Sequence, residues 1–293
     1  GRKFEVDGFV FDMGPSWYWM PAVFERFFNK FGKSTSDYYE LIRLDPSYKV
    51  FFEDGEHLAV PADRVALDAM FESLEPGSSQ QLKEFLDDAA YKYKVGMEEF
   101  VYKPSHSISE YLDLRIVKSA FKLKLLQSLS SEVRSRFKHP KLIEILEFPV
   151  LFLGAKPENT PAMYSLMNYA DLVLGTWYPK GGMAKIGEAF HQLAMELGVK
   201  FQFDQNVKSV NISDGYIAEV ITDKSSFSAD MVINSADYHH FEQHILPSSH
   251  RMYDERYWDK RTMAPSSLLF YLGLDKEIPG LEHHNLFFDK DFG

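Results

Sequence analysis

Residues 177–183 read Trp-Tyr-Pro-Lys-Gly-Gly-Met, and a glycine pair at the head of a helix-forming stretch lets bare backbone approach something flat or anionic. Further along, Asn234-Ser235-Ala236-Asp237 follows an apolar run, with Asp237 placed to cap the next helix while the backbone beside it stays free to face a ligand. Other chemistries find little support. No Gly-x-Gly-x-x-Gly follows a strand, and Gly181, Gly182 and Gly187 have the wrong spacing for a dinucleotide cradle or a P-loop. His239-His240 and His283-His284 are sequence neighbours, so their rings diverge on a helix and point to opposite faces on a strand; no metal is expected. Ser16 and Ser235 lack the elbow of a serine nucleophile, and no general base can be assigned.

The elements that must position these residues follow from turn signals and periodicity. Residues 3–12 alternate across Gly8 as a short hairpin, and the Gly14-Pro15 break leads into Trp17-Tyr18-Trp19-Met20. A helix starts near Pro21, carries apolar residues at 24, 27, 28 and 31, and stops at Gly32. Residues 44–48 and 50–52, a turn at Asp54-Gly55 and residues 57–61 predict a β unit that opens a second domain. From 63 to about 149 the pattern is largely helical, with Pro76-Gly77-Ser78 as the start signal of a helix over 79–100. Residues 160–174 predict a helix ended by Gly175, and 184–197 another ended by Gly198. Strands are expected at 199–203, 207–212, 216–222 and 226–229, then a buried one at 231–234, and finally at 267–274 and 285–288. The class is α/β, with helices and strands mixed.

With 293 residues, 45% of them hydrophobic, the chain can bury a large core, most simply as two domains. The absence of cysteine excludes disulfides, zinc-thiolate sites, iron-sulfur clusters and cysteine nucleophiles. A net charge of −11 argues against a nucleic-acid partner, because phosphate neutralisation needs a basic face. No apolar run reaches the length of a bilayer span, and residues 148–153 read as core. One stretch inverts the charge. Over 114–137, Arg115, Lys118, Lys122, Lys124, Arg134 and Arg136 oppose only Glu132, alongside an apolar face that includes Leu114, Phe121, Leu125 and Leu129. Such a stretch is either a solvated helix packed on its own domain or a basic amphipathic surface resting on anionic lipid, and the charge pattern alone favours the first.

Taken in order, these pieces resemble the bacterial-type phytoene desaturases, which are carotenoid desaturases within the FAD-dependent, amine-oxidase-like flavoprotein superfamily. Gly1-Arg2 resembles the end of a Gly-Gly-Arg segment, and residues 8–17, Gly-Phe-Val-Phe-Asp-Met-Gly-Pro-Ser-Trp, resemble a flavin-side loop. Phe152-Leu153-Gly154, Pro157, Pro161, Tyr164, residues 177–183, Asn206-Val207, residues 234–237 and the tail from Leu272-Gly273-Leu274 to His283-His284-Asn285 fit the same family.

The resemblance implies a fragment of a Rossmann-like FAD-binding domain, over 1–43 and 176–246, joined to a sheet-and-helix substrate domain over 44–175 and 247–293. The reaction implied is desaturation of a carotenoid precursor such as phytoene, with hydride transfer from the polyene to FAD. Its implied cofactor-binding residues are Gly1, Arg2, Gly14, Pro15, Ser16, Trp17, Gly181, Gly182, Met183, Val207, Ala236 and Asp237. Val207 would meet the adenine end through its backbone, and Ala236 and Asp237 would lie near the FAD. Trp19, Phe152, Tyr164 and Trp177 would line a substrate tunnel, with Tyr18 near it.

Family members act at membrane surfaces, so the resemblance turns the helical region near 79–150, and its basic stretch above all, into the expected membrane face of a cytoplasmic, peripherally associated enzyme. It also implies a strand with Gly-x-Gly-x-x-Gly before position 1 and a glycine-rich segment after 293. The chain is therefore expected to be incomplete at both ends and to bind FAD weakly alone. The rival readings are a related carotenoid isomerase, ketolase or amine oxidase, and a lipid-binding piece without flavin.

Overall fold

Asp7 and Gly8 both take positive φ, 50° and 83°, the geometry of a two-residue hairpin turn whose twist matches its strands. Around it β1 (Arg2–Val6) pairs antiparallel with β2 (Phe9–Met13), Val6 opposite Phe9. The structure is a computed structural model that describes residues 2–102, 123–262 and 266–289. Two compact units divide the chain: Gly1–Leu193 with Ser266–Gly293, and Ala194–Pro265.

In the larger unit α1 (Pro21–Asn29) starts at a proline and presents Phe28 inward. β3 (Leu41–Arg43) later pairs antiparallel with β6 (Trp177–Pro179), Arg43 opposite Trp177. β4 (Tyr48–Phe51) and β5 (His57–Val60) form a second hairpin around Gly55, whose φ is 83°. On its other edge β4 takes the strand Asn285–Phe287 in parallel, Leu286 opposite Val50. α2 (Arg64–Leu74) begins at an Asp63 carboxylate that accepts the Ala66 amide at 2.9 Å. α3 (Ser78–Val95), α4 (Leu129–Arg136) and α5 (Pro140–Glu147) follow. Their apolar faces, with Phe71, Phe85, Val133 and Leu146, bury against Tyr48 and Val50 in one core. The expected helix over 160–174 forms from Ala162 and ends at Gly175, φ 92°, with its winding tight over Ala162–Ser165, regular over α6 (Leu166–Tyr169) and wide over the last turn, Ala170–Leu174. A second core gathers Tyr18, Phe28, Tyr39, Met183 and the inner face of α7 (Ala184–Glu196).

The basic stretch also departs from expectation. Residues 103–122 lie outside the described part, and from 123 to 127 the chain turns rather than continuing a helix. The three described cations are tied to acids from neighbouring helices. Lys124 donates to Glu132 at 2.6 Å and Asp88 at 2.9 Å, Arg134 forks onto Glu147 through two bonds of 3.1 Å, and Arg136 lies 3.7 Å from Asp88. Buried Lys92 completes the cluster, donating to Glu132 at 2.8 Å, Ser165 Oγ at 2.9 Å and the Ala162 carbonyl at 3.1 Å. For these three described cations the matching acids beyond Glu132 sit on α3 and α5, Asp88 and Glu147, out of reach of a local charge count.

In the smaller unit β7 (Val207–Ser213), β8 (Tyr216–Thr222) and β9 (Ser226–Ser228) form an antiparallel meander. Its first turn is Asp214-Gly215, again with both φ values positive, 53° and 81°. The strand expected at 44–48 gives only its last residue, Tyr48, to β4, and three further expected strands are not formed. Residues 199–203 are irregular, and Phe201 and Phe203 stack on each other at 5.8 Å. Residues 231–234 pair with no strand among the described residues and stay open, Met231 78% and Ile233 85% exposed. In the larger unit residues 267–274 are likewise unpaired; Tyr271 packs edge-on against Phe4 at 5.1 Å and Gly273 lies under the Phe9 ring. An apolar run becomes a strand only where a neighbouring edge offers ladder partners.

Candidate functional site

At the end of β2 the Asp12 carboxylate accepts the amides of Met183 at 2.7 Å and Ala184 at 3.2 Å, and the Tyr178 hydroxyl at 3.2 Å. It thereby satisfies the free N–H groups at the start of α7 and sits at the positive end of that helix. Burial, then the Asp12 charge beside it, pushes the Tyr178 phenol up. Gly182 has φ 103°, and a Cβ there would come within 2.2 Å of Asp12 Oδ2. The glycine pair thus lets a carboxylate of the chain itself reach the helix start. Gly181, φ 89°, would meet only the flexible Lys185 side chain, at 3.3 Å.

The loop from 14 to 16 is exposed, and Gly14, φ 126°, has nothing within 4 Å of the place a Cβ would take. Beyond it the chain turns inward. Trp17 packs against His284 at 4.4 Å, Tyr48 at 5.2 Å, Trp19 at 5.5 Å and Phe152 at 5.6 Å, and Trp19 meets Phe152 edge-on at 5.3 Å. Tyr164 packs on the same core. Trp177 lies in the second core, joined to this corner through its amide, which donates to the Tyr18 carbonyl at 3.1 Å. The Tyr18 ring also points into that second core, its hydroxyl 2.7 Å from that of Tyr39. So Trp17, Trp19 and Phe152 come together, Tyr164 shares their core, and Trp177 and Tyr18 face elsewhere.

Behind the aromatic corner lies a buried polar relay. Asp171, fully enclosed, accepts the Tyr48 hydroxyl at 2.8 Å and the Thr176 hydroxyl at 3.0 Å, while Thr176 Oγ accepts the Trp19 indole N–H at 2.9 Å. Burial raises the Asp171 carboxyl to about 7, against the opposing pull of the Tyr48 and Thr176 hydroxyls, the Arg43 charge and the Trp19 N–H. Arg43 donates to the Leu174 carbonyl at 2.6 Å, which also accepts the Trp177 indole at 2.9 Å. The Tyr48 phenol is driven well up by burial and by the neighbouring carboxylate. On the far side of Trp17, His284 Nε2 lies 2.9 Å from the Ser16 carbonyl. A carbonyl only accepts, so Nε2 carries the proton and the buried Nδ1 keeps an unpaired lone pair. Burial lowers this imidazole to about 4.

The smaller unit holds the remaining candidates. Val207 starts β7 and is partly exposed. Asn234 folds its amide over Ala236, accepting the Ala236 N–H at 3.2 Å, and Asp237 Oδ1 accepts the His240 amide at 2.6 Å, the capping role its position suggests. Gly1 lies outside the described residues, and only the backbone of Arg2 is described, in β1. Among the described residues no group of three metal-ligating side chains forms; the His283 ring instead packs on Tyr178 at 4.2 Å.

Sequence reasoning missed Asp12, Arg43, Asp171 and Thr176, and took His284 only as half of a histidine pair. Their partners lie 171, 131 and 123 residues away for Asp12–Met183, Arg43–Leu174 and Tyr48–Asp171, so no local spacing announces them.

Comparison with known proteins gives the lineage. The chain is 40% identical over 292 residues to the carotenoid 3,4-desaturase of Haloarcula japonica, covering 99% of this chain and 59% of that protein. It is 29% identical to the zeta-carotene-forming phytoene desaturase of Myxococcus xanthus, covering 99% of this chain and 56% of that protein. It is 30% identical to the 4,4'-diapolycopene oxygenase of a Methylomonas species, covering 96% of this chain and 57% of that protein. The chain thus spans less than two thirds of the length of these relatives. The model of the family "Flavin containing amine oxidoreductase" matches residues 1–276, nearly the whole chain, and the protein accordingly belongs to that family.

Proposed function

We propose that this chain carries the substrate wall and part of the cofactor side of an FAD-dependent carotenoid desaturase. The observation that carries the reading is the aromatic corner of Trp17, Trp19 and Phe152 beside the open loop 14–16, in a chain whose relatives are named for carotenoid desaturation. Residues 1–43 and 176–246 form the cofactor side in this reading, and 44–175 with 247–293 the substrate side. The bare flank of Gly14 fits a planar ring laid against backbone. The start of α7 fits an anion less well, because Asp12 already occupies its amides. Gly1, Arg2, Pro15, Ser16, Trp17, Gly181, Gly182 and Met183 remain proposed cofactor contacts in the larger unit, and Val207, Ala236 and Asp237 in the smaller one.

A bound flavin supplies the acceptor for a hydride leaving the polyene. The chain's own residues supply position and dryness. Trp17, Trp19 and Phe152 offer ring faces and edges to an uncharged chain and keep water from it. Exposed Leu151, Phe152 and Leu153 form an apolar lip at that corner, a route for a lipid-soluble substrate.

The test is the visible spectrum of the purified chain, alone and with any flanking sequence encoded with it, followed by incubation with phytoene. Flavin bands and a product two hydrogens lighter per step are expected. The name of the Methylomonas relative keeps oxygenation as a second reading, and a product heavier by oxygen would select it. Absence of flavin from both forms would overturn the enzyme and favour a lipid-binding role.

A further inference from the structure

Asp171 is a costly residue to bury. An isolated carboxylate loses several kcal/mol of hydration, roughly, when it leaves water, and the wide turn Ala170–Leu174 could carry an apolar residue there without that cost. What the carboxylate gains is two directed bonds, one per oxygen: Tyr48 to Oδ2 and Thr176 to Oδ1. The direction of the second arm is fixed by chemistry. A hydroxyl has one hydrogen, and Thr176 gives its own to Asp171, so its lone pair is what receives the Trp19 indole N–H. Both arms end on rings that touch Trp17, and Trp19 also braces Phe152. The charged and titratable groups facing the carboxylate are Tyr48 from β4 and Arg43 from β3, whose guanidinium in turn faces Asp45; His284 lies across Trp17. The Lys92–Glu132 cluster carries more charge, but its partners bind helix to helix and reach none of these rings.

We propose that Asp171 is a positioning residue for the aromatic wall: its carboxylate holds Tyr48 directly and Trp19 through the Thr176 hydroxyl, fixing the ring faces against which a polyene lies. The occupant of the wall rests on the desaturase reading; the relay itself does not.

The experiment uses ¹⁵N-tryptophan-labelled protein, whose four indole N–H signals include Trp19, identified with Trp19→Phe. The Trp19 signal is expected to move with pH around a midpoint near 7, to lose that movement in Asp171→Asn, and to shift and stop titrating in Thr176→Val. Thr176→Ser, which keeps the hydroxyl, restores it. A Trp19 signal that ignores pH in the unaltered protein, or still titrates in Thr176→Val, overturns the relay. With flavin-loaded protein and a polyene substrate, Thr176→Val is expected to lower kcat/KM about tenfold or more, with rescue in Thr176→Ser, since small misplacements of a reacting chain are expensive. An unchanged rate with a displaced Trp19 signal overturns the positioning role alone. No turnover in the unaltered protein overturns the desaturase reading, and the wall's role with it, while the indole signals still report on the relay.

Discussion

Asp171 and His284, on either side of Trp17, respond to pH in opposite senses. In the unfolded chain Asp171 releases its proton near 3.8, but in the fold only near 7, so its contribution to stability is greatest in acid and falls as pH rises between those values. His284 takes up a proton near 6.5 when unfolded and only near 4 when folded, so its contribution is present above 6.5 and is lost as pH falls towards 4. Between about pH 4 and 6.5 the two offset each other. Asp171→Asn removes one of them, and its urea midpoint is expected to rise with pH across that window more steeply than that of the unaltered protein. Parallel profiles for the two proteins would refute the assignment. Gly182 makes a second case: Ala there must adopt φ 103° and displace the carboxylate that caps α7. A loss of at least about 1–3 kcal/mol is expected by chemical denaturation, and a smaller one from Gly181→Ala, whose neighbour can swing away.

α3 and α4 are joined less by apolar packing alone than by the acids and cations between them. Lys92→Met leaves Glu132 buried with Lys124 and Arg136 as its remaining cations, and strips donors from Ser165 and the Ala162 carbonyl. A loss of about 3 kcal/mol is expected in thermal or urea unfolding, and a neutral outcome would mean the cluster is replaceable by packing. Elements of this kind were only partly legible in the sequence. The hairpins at Asp7-Gly8 and Asp214-Gly215 were readable because a two-residue turn is chosen by the residues inside it, and the longer turn between β4 and β5 because its left-handed position is held by Gly55. Helix starts at Pro21 and near Ser78 were readable for the same local reason. Residues 231–234 and 267–274 were misread as strands because apolar content says nothing about whether a partner edge exists, whereas the helix over 160–174 was readable to its stop at Gly175.

At the scale of the molecule, the family was readable from ordered motifs spread over the chain, whereas the polar relay behind the aromatic corner was not, since it joins residues 19, 48, 171 and 176 only after folding. No helix among the described residues is long and apolar enough to cross a membrane. The double variant Lys118→Glu/Lys122→Glu is expected to weaken sedimentation with anionic liposomes, and unchanged sedimentation would remove residues 114–137 as a membrane face. Reversing Lys124 is not an equivalent probe, because it would break bonds to Glu132 and Asp88. The parallel pairing of Asn285–Phe287 with β4 matters for how the chain is made. During synthesis the open edge of the β4–β5 hairpin leaves the ribosome some 235 residues before its partner, since Leu286 pairs with Val50, a wait on the order of ten to fifty seconds at ordinary elongation rates. Throughout that interval a strand rich in Tyr, Val and Phe offers unpaired backbone to any neighbouring nascent chain, so yield in cells should depend on chaperone supply and improve when translation after residue 60 is quickened.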